Sequence, residues 1–577
     1  MMMTVRYAPA TGMVLLLGMT FASPLQAQSP ADEFSRRQEQ QTETQRLDAL
    51  KRITPNAAPA ANGRQIPVAR TPNGPCFDIE GVDVDGVTQI SLASIAKITR
   101  RYQDRCIGLG DINDLLRAVT HLYLDHGFVT SRAYVPEQDV RASKRLRVIV
   151  IEGTIDDIYV NGKPAPNNGT VATAFPHMIG RIANIRDVEQ GLDQINRLSS
   201  NNAKTSMLPG AKVGTSVLNL ENNPTKRWHA SAANDNLGQE STGYAQSSLR
   251  LGLDDVLGIN DQLGLSYQRS GPDYPWGGDG QGSSNSYSVN ASIPYGYWTF
   301  SANGSWYDYE SAIPGIFEAI ETSGDSGQFG VGAGRVVLRD KDSITTVRSG
   351  LTYKQTDNFL LGNRIEVGSR RYSVGSLGLS HSRRMLGGVW AFDASYDQGL
   401  DLFGAVDAGE PGAGSADPRF SKFSVTLSIT EPFEIAGAHL EATSLLSGQY
   451  SPDNLFGAEQ ISLGGYSNVR GLRESVLFGN NGMFTHNEFA WRTMPWANDG
   501  TIAKILGELR PYIGLDYGRV FSQGRFDITG GDLSSWTAGA RLVGGSLNVD
   551  LGYSDILSSS TATDDAGFFY VSASVHW

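Results

Sequence analysis

In Trp298-Thr299-Phe300-Ser301-Ala302-Asn303-Gly304-Ser305-Trp306, Trp, Phe, Ala, Gly and Trp fall on one face and Thr, Ser, Asn and Ser on the other. A period of two is that of a strand with one apolar and one polar side. Phe423-Ser424-Val425-Thr426-Leu427-Ser428-Ile429 alternates in the same way, as do Ser546, Asn548 and Asp550 against Leu547, Val549, Leu551 and Tyr553. No stretch between Trp228 and Trp577 carries helical periodicity. A soluble sandwich would also alternate, but it buries its apolar face against a second sheet and has no need of aromatic residues at strand ends. Trp298 and Trp306 bracket one strand, which favours lipid on the apolar side and water on the polar side. An open sheet edge in lipid would leave peptide groups unpaired, so the sheet must close. At ~10 residues per strand plus turns, residues 228–577 accommodate about 16 antiparallel transmembrane strands.

The rest of the composition is compatible with that reading. The chain has 577 residues, 40% of them hydrophobic, with a formal charge of −12 and 66 glycines. Its longest apolar stretch, Met13 to Ala22, is too short for a spanning helix, so a helical membrane protein is excluded and a barrel is not. The acidic balance and the lack of a basic run argue against nucleic acid as a partner. Arg6, the apolar run Gly12 to Phe21 and Leu25-Gln26-Ala27 read as a secretory signal over residues 1–27.

Residues 28–53 follow as a polar segment rich in helix formers, without glycine and with Pro30 before its start at Asp32. A helix over Asp32–Ile53 would be about 33 Å long, close to the thickness of a bilayer. With so little apolar surface it suits either a water-filled lumen or periplasmic solvent. Residues 54–75, with Pro55, Pro59, Pro67, Pro72 and Pro75, are a linker. Residues 76–153 and 154–227 each show a β-α-α-β-β order. The first has a strand at Phe77–Val82, helices at Leu92–Tyr102 and Ile112–Leu124, and strands at Ser131–Val135 and Leu146–Ile151. The second has a strand at Ile155–Val160, helices near Ala172–Ile182 and at Ile185–Leu198, and strands near Lys204 and at Val213–Leu220. Cys76 and Cys106 are the only cysteines. In an exported chain they read as a disulfide, with free thiols or half a metal site as the alternatives.

Two further stretches stand out within the barrel region. Gly464-Gly465-Tyr466-Ser467-Asn468-Val469-Arg470-Gly471-Leu472 is a glycine-rich loop with a single cation between Val469 and Gly471. Tyr512-Ile513-Gly514-Leu515-Asp516-Tyr517-Gly518 alternates, and Gly514 and Gly518 leave a slot on either side of Asp516. The loop either folds into that slot, with Arg470 on Asp516, or is a solvated hairpin beside an unrelated strand.

Together these two stretches resemble the paired signature of the outer-membrane secretion and assembly barrels that carry POTRA domains. That resemblance implies a loop folded back into the barrel with its Arg on the Asp of the wall; Leu472 stands where many members have Tyr or Phe. Asp187-Val188-Glu189-Gln190-Gly191-Leu192-Asp193-Gln194-Ile195-Asn196-Arg197-Leu198 looks like the last POTRA helix of the two-partner-secretion transporters, and Leu208-Pro209-Gly210 follows it as in that family. Thr130-Ser131-Arg132-Ala133-Tyr134-Val135-Pro136-Glu137-Gln138 and Val150-Ile151-Glu152-Gly153 match the same family's first POTRA domain. Phe569, Val571, Val575 and the terminal Trp577 resemble an outer-membrane insertion signal. The chain is thus similar to the TpsB-type transporters, the haemolysin and haemagglutinin secretion-activation proteins. The resemblance implies a barrel in the outer membrane of a Gram-negative bacterium, with two POTRA domains in the periplasm and a helix able to plug the lumen. It also implies a large TpsA-type exoprotein as export partner, and periplasmic chaperones and the barrel-assembly machinery for the barrel's own insertion. No cofactor and no enzyme activity are expected. The alternative within the superfamily is a factor that inserts other barrels, but such chains carry more POTRA domains than fit before Trp228. A passive porin would need neither the POTRA region nor the Arg470 loop.

Three chemical motifs are set aside. Gly324-Asp325-Ser326-Gly327 has the letters of a serine nucleophile site but reads as an interstrand loop without an assignable His or Asp. Gly330-Val331-Gly332-Ala333-Gly334 lacks the βαβ unit of a dinucleotide loop. The eight histidines show no ligand spacing.

Overall fold

The computed structural model describes residues 29–53, 76–272, 282–313, 319–561 and 567–577. The signal segment and the linker expected at 1–27 and 54–75 lie outside them.

Helix α1 (Pro30–Ile53) is followed by the first small domain. Its elements are β1 (Phe77–Ile79), β2 (Gly81–Asp85), α2 (Leu92–Thr99), β3 (Arg105–Ile107), α3 (Leu109–Asp125), β4 (Arg132–Tyr134), α4 (Val140–Ser143) and β5 (Arg145–Ile151). The sheet runs β2-β5-β4, with β2 parallel to β5. Leu115, Val119 and Tyr123 of α3 lie against Leu146, Val148 and Val150 of β5 in the core. The single strand expected at Phe77–Val82 is instead two, because β1 leaves the sheet to pair with β3. Cys106 sits in β3 and is bonded to Cys76, with the Cα atoms 5.5 Å apart. Closing a loop of that length stabilises by about 3–4 kcal/mol in the chain-entropy model.

The second domain holds β6 (Thr154–Val160), β7 (Lys163–Pro164), α5 (Gly169–Ala174), α6 (Ile185–Asn196), β8 (Lys204–Pro209) and β9 (Thr215–Glu221), in sheet order β7-β6-β9-β8. The helix expected near Ala172–Ile182 ends at Ala174. Phe175 precedes Pro176 and takes a non-helical conformation (φ −124°, ψ 52°), as the proline ring demands of its neighbour.

Sixteen antiparallel strands then form a closed barrel, with the two-residue strand Asn363–Arg364 as a hairpin extension of one wall strand. Trp228–Asp235 closes it against Phe568–His576, from Ser231↔His576 to Asp235↔Ser572. Trp298, Phe300 and Trp306 point outward and are exposed, while Tyr307 and Tyr309 are buried inside. Connections at the end next to the small domains include tight turns at Gly296-Tyr297, Leu386-Gly387 and Ala436-Gly437; those at the distal end are longer, and 451–481 is one of them. The Gly324–Gly327 and Gly330–Gly334 stretches are not in a loop: both lie inside the wall strand Ile320–Arg339. Their lack of bulk matches neighbours with large rings, since Trp306 pairs with Gly327 and Tyr309 with Gly324. A short helix, Gly500–Leu506, also interrupts a region in which the sequence shows no helical period; Asp499 caps it by accepting from the Thr501 and Ile502 N–H groups.

Helix α1 runs inside the lumen and not beside the small domains. Phe34 stacks on Tyr307 at 4.2 Å, Gln38 accepts from Ser305 Oγ at 3.0 Å, and Arg46 Nη2 meets Asp393 Oδ1 at 2.8 Å. Asp32 pairs with Arg370 and Glu39 with Lys354. A polar helix can lie here because the inner faces of the strands are polar as well. At the barrel mouth, Arg339 Nη2 of the wall reaches Asp193 Oδ2 of α6 at 2.6 Å, and Arg197 Nη2, at the C-cap of α6, donates to the Asn260 carbonyl at 2.8 Å.

Candidate functional site: the lumen loop and its wall partner

The distal connection 451–481 turns back into the barrel as a hairpin of Ile461–Gly464 and Ser475–Gly479. Its tip is fixed by local hydrogen bonds. Asn468 Oδ1 accepts from the Gly464 N–H at 2.9 Å, and its Nδ2 donates to the Ser462 carbonyl at 3.1 Å. Gly471 has φ +114° and packs so closely on the wall that a Cβ would meet the Ser535 Cβ at 2.8 Å. The apolar side chains Leu463, Val469 and Leu472 sink into a cluster with Phe484, Val520 and Leu533 of the wall.

Arg470 is fully buried. Its Nε donates to Asp516 Oδ2 at 2.8 Å and its Nη2 to Asp516 Oδ1 at 3.0 Å, a bidentate fork; its backbone N–H donates to the same carboxylate at 3.1 Å. Nη1 reaches Glu488 Oε2 at 3.3 Å and Nη2 the Asn487 carbonyl at 3.3 Å. Asp516 also accepts from the Asn487 N–H at 3.2 Å. Its strand, Glu508–Val520, buries Tyr512, Asp516 and Val520 and exposes Ile513, Leu515 and Tyr517 outward. The two glycines beside Asp516 are where the loop lies: a Cβ on Gly514 would overlap Arg470 Nη2, and one on Gly518 would come within 2.9 Å of Val469 Cγ2. Two buried charges in low dielectric need such a fork and the extra donors, because removing one partner costs roughly 3–5 kcal/mol.

The other residues singled out from the sequence lie elsewhere. Phe569, Val571 and Val575 sit on the outward-facing positions of Phe568–His576, where Tyr570 points inward and is buried. Trp577 follows the strand, its N–H donating to the Ala230 carbonyl at 2.9 Å across the closure. Cys76 and Cys106 tie β1 to β3, far along the chain from the lumen loop.

Glu488, Arg541, Asp550 and Tyr466 join the site and were missed by sequence reasoning. Arg541 bonds Glu488 and Asp550, the latter at 2.8 Å, and its guanidinium lies 4.0 Å from the Tyr512 ring centroid. Tyr466 donates to Asp550 Oδ2 at 2.6 Å. The signal available was parity: each is a polar residue on the inward face of an alternating strand, or an aromatic residue in the glycine loop.

Comparison with known proteins agrees with this architecture. Residues 214–542 match the family described as haemolysin secretion/activation protein ShlB/FhaC/HecB, and residues 77–153 and 154–209 match POTRA domains, the first of ShlB type. The chain is 32% identical over 543 residues to the outer membrane transporter CdiB of Escherichia coli, covering 91% of this chain and 89% of that one. It is 31% identical to the haemolysin transporter protein ShlB of Serratia marcescens, covering 85% and 82%. The solved structure of CdiB from Escherichia coli superposes with a TM-score of 0.83 at 29% identity, covering 95% of this chain and 99% of that one. With its two POTRA domains, sixteen-stranded barrel and infolded loop, the chain belongs to the ShlB/FhaC/HecB family of haemolysin secretion/activation proteins.

Proposed function

We propose that this outer-membrane transporter exports a large TpsA-type exoprotein, of the haemolysin or adhesin kind, unfolded through its lumen. One observation carries the reading. A cavity of about 680 Å³ is lined at one extreme by Gln190 and Asp193 of α6 and by Arg197 just after it, and at the other by Glu459 and Ser467 of the distal connection, with α1 along it. An extended chain entering beside α6 would take the path that α1 now fills. Capture belongs to the POTRA sheets. β4 and β8 are edge strands, and Tyr134 and Leu208 on them are exposed. A free edge offers main-chain hydrogen bonds to an extended partner segment, with side-chain contacts for selection.

The test is co-expression with a large exported partner of this kind. The reading expects partner in the medium in the presence of the chain and none in its absence, with the insertion of unrelated barrels unchanged. If unrelated barrels failed to insert without the chain while the partner still appeared outside, it would be an assembly factor instead.

A further inference from the structure

We propose that Arg541 is a positioning residue that fixes the infolded loop at a second point, Tyr466, beside the Arg470–Asp516 fork. This rests on the reading that the loop serves transport. Arg541 projects into the lumen from Gly531–Val543 and faces two carboxylates on different strands: Glu488, with Nη2 at 2.9 Å from Oε2, and Asp550, with Nε at 2.8 Å from Oδ2. Each carboxylate in turn touches the loop. Asp550 Oδ2 accepts the Tyr466 hydroxyl at 2.6 Å, and Glu488 Oε2 lies 3.3 Å from Arg470 Nη1.

Without Arg541, Glu488 keeps only the Arg470 Nη1 contact, and Asp550 loses its cation and keeps the Tyr512 hydroxyl at 2.7 Å besides Tyr466, so the acceptor that holds Tyr466 is no longer fixed by charge. The guanidinium suits the place because one planar fork can serve two acceptors while its face rests on Tyr512. Lysine keeps the charge but not the bridge. The loop is therefore seated at two residues four positions apart, Arg470 on Asp516 and Tyr466 on Asp550, whose carboxylate Arg541 holds.

The experiment uses the full chain with Val469→Cys as reporter. Val469 is completely buried when the loop is seated, and both native cysteines are consumed in the disulfide, so the new thiol is unique. Labelling by a membrane-impermeant maleimide and partner secretion are read together, normalised to heat-modifiable barrel. Arg541→Met and Tyr466→Phe should each speed labelling about tenfold, the effect of losing one charge-assisted hydrogen bond on an opening equilibrium, and should lower secretion. The double variant should label no faster than Arg541→Met, because both act through one anchor. Arg541→Lys should fall between. If Arg541→Met does not insert, Tyr466→Phe and Arg541→Lys, which strand no buried carboxylate, decide by the same readings. Labelling and secretion equal to the parent, or additive effects in the double variant, would overturn the inference. Arg470→Ala is run alongside: normal secretion from it would remove the loop's transport role, while the labelling rates still report on the second anchor.

Discussion

With its guanidinium out of reach of water, Arg470 relies on Asp516 for its charge and on Gly514 and Gly518 for its space. Exposed ion pairs are worth ~0–1 kcal/mol, too little to hold a long loop against its entropy, whereas a shielded bidentate pair is not so limited. Arg470→Ala is therefore expected to abolish secretion while the barrel still inserts, and Asp516→Ala to do much the same. The swap Arg470→Asp with Asp516→Arg should restore part of the activity, since the fork geometry is not symmetric under exchange. Partner in the medium per inserted barrel is the readout, and wild-type levels from Arg470→Ala would refute the role. A second residue-scale prediction concerns the first POTRA domain. Burial alone would raise the Glu152 carboxyl, but donors from Thr88 Oγ1, the Tyr123 hydroxyl and the Thr88 and Gln89 N–H groups outweigh it and hold it below its ordinary value. A carboxyl lowered by folding contributes fully above its unfolded value of about 4.3, and the contribution is lost as pH falls through the lower folded value. Glu152→Gln should thus reduce hydrogen-exchange protection of α3 by about 1 kcal/mol at pH 7, a discounted figure because the group is partly solvated. The difference from wild type should shrink below about pH 4.

At the scale of elements, the long alternating strands were legible because lipid and water impose opposite chemistry on their two faces. What was not legible depended on partners remote in sequence. Arg105-Cys106-Ile107 is too short to show a period, and it becomes a strand only by pairing with Phe77–Ile79. The stretch Gly324–Gly327 reads as a loop until Trp306 and Tyr309 on the adjacent strand account for its missing bulk. Glu488, Arg541 and Asp550 meet through register between strands that no local pattern reveals, whereas the Arg470 and Asp516 stretches carry their own glycines as a signal. Helix α1 shows the same limit: its polarity fits lumen or solvent, and contacts such as Arg46 with Asp393 place it in the lumen. Asp393 is also held by Arg348 at 2.8 Å, and Lys354, the wall partner of Glu39, by Glu459 of the distal connection at 2.6 Å, so these wall charges keep a partner when the helix departs. Deleting α1 should accordingly raise single-channel conductance in planar bilayers while secretion largely persists; unchanged conductance would mean that α1 does not obstruct the lumen.

For the whole molecule, the proposed capture and conduction fall to separate parts of the chain. The barrel closes on itself through Trp228–Asp235 and Phe568–His576, so removal of residues 77–220 should leave a folded, heat-modifiable barrel. Under the capture proposed above, that barrel secretes nothing; continued export would place recognition in the barrel or its loops. The route itself is open to direct measurement. Asn303 lies on the inner face of Trp298–Ile313 and Phe329, on the neighbouring strand, faces outward. A photo-crosslinker is placed at each in turn, and the partner is arrested in transit by a tightly folded domain fused to its end. Export through the lumen predicts crosslinks to the arrested partner from position 303 and none from position 329. Crosslinks from 329 with none from 303 would contradict it and put the partner's path outside the barrel.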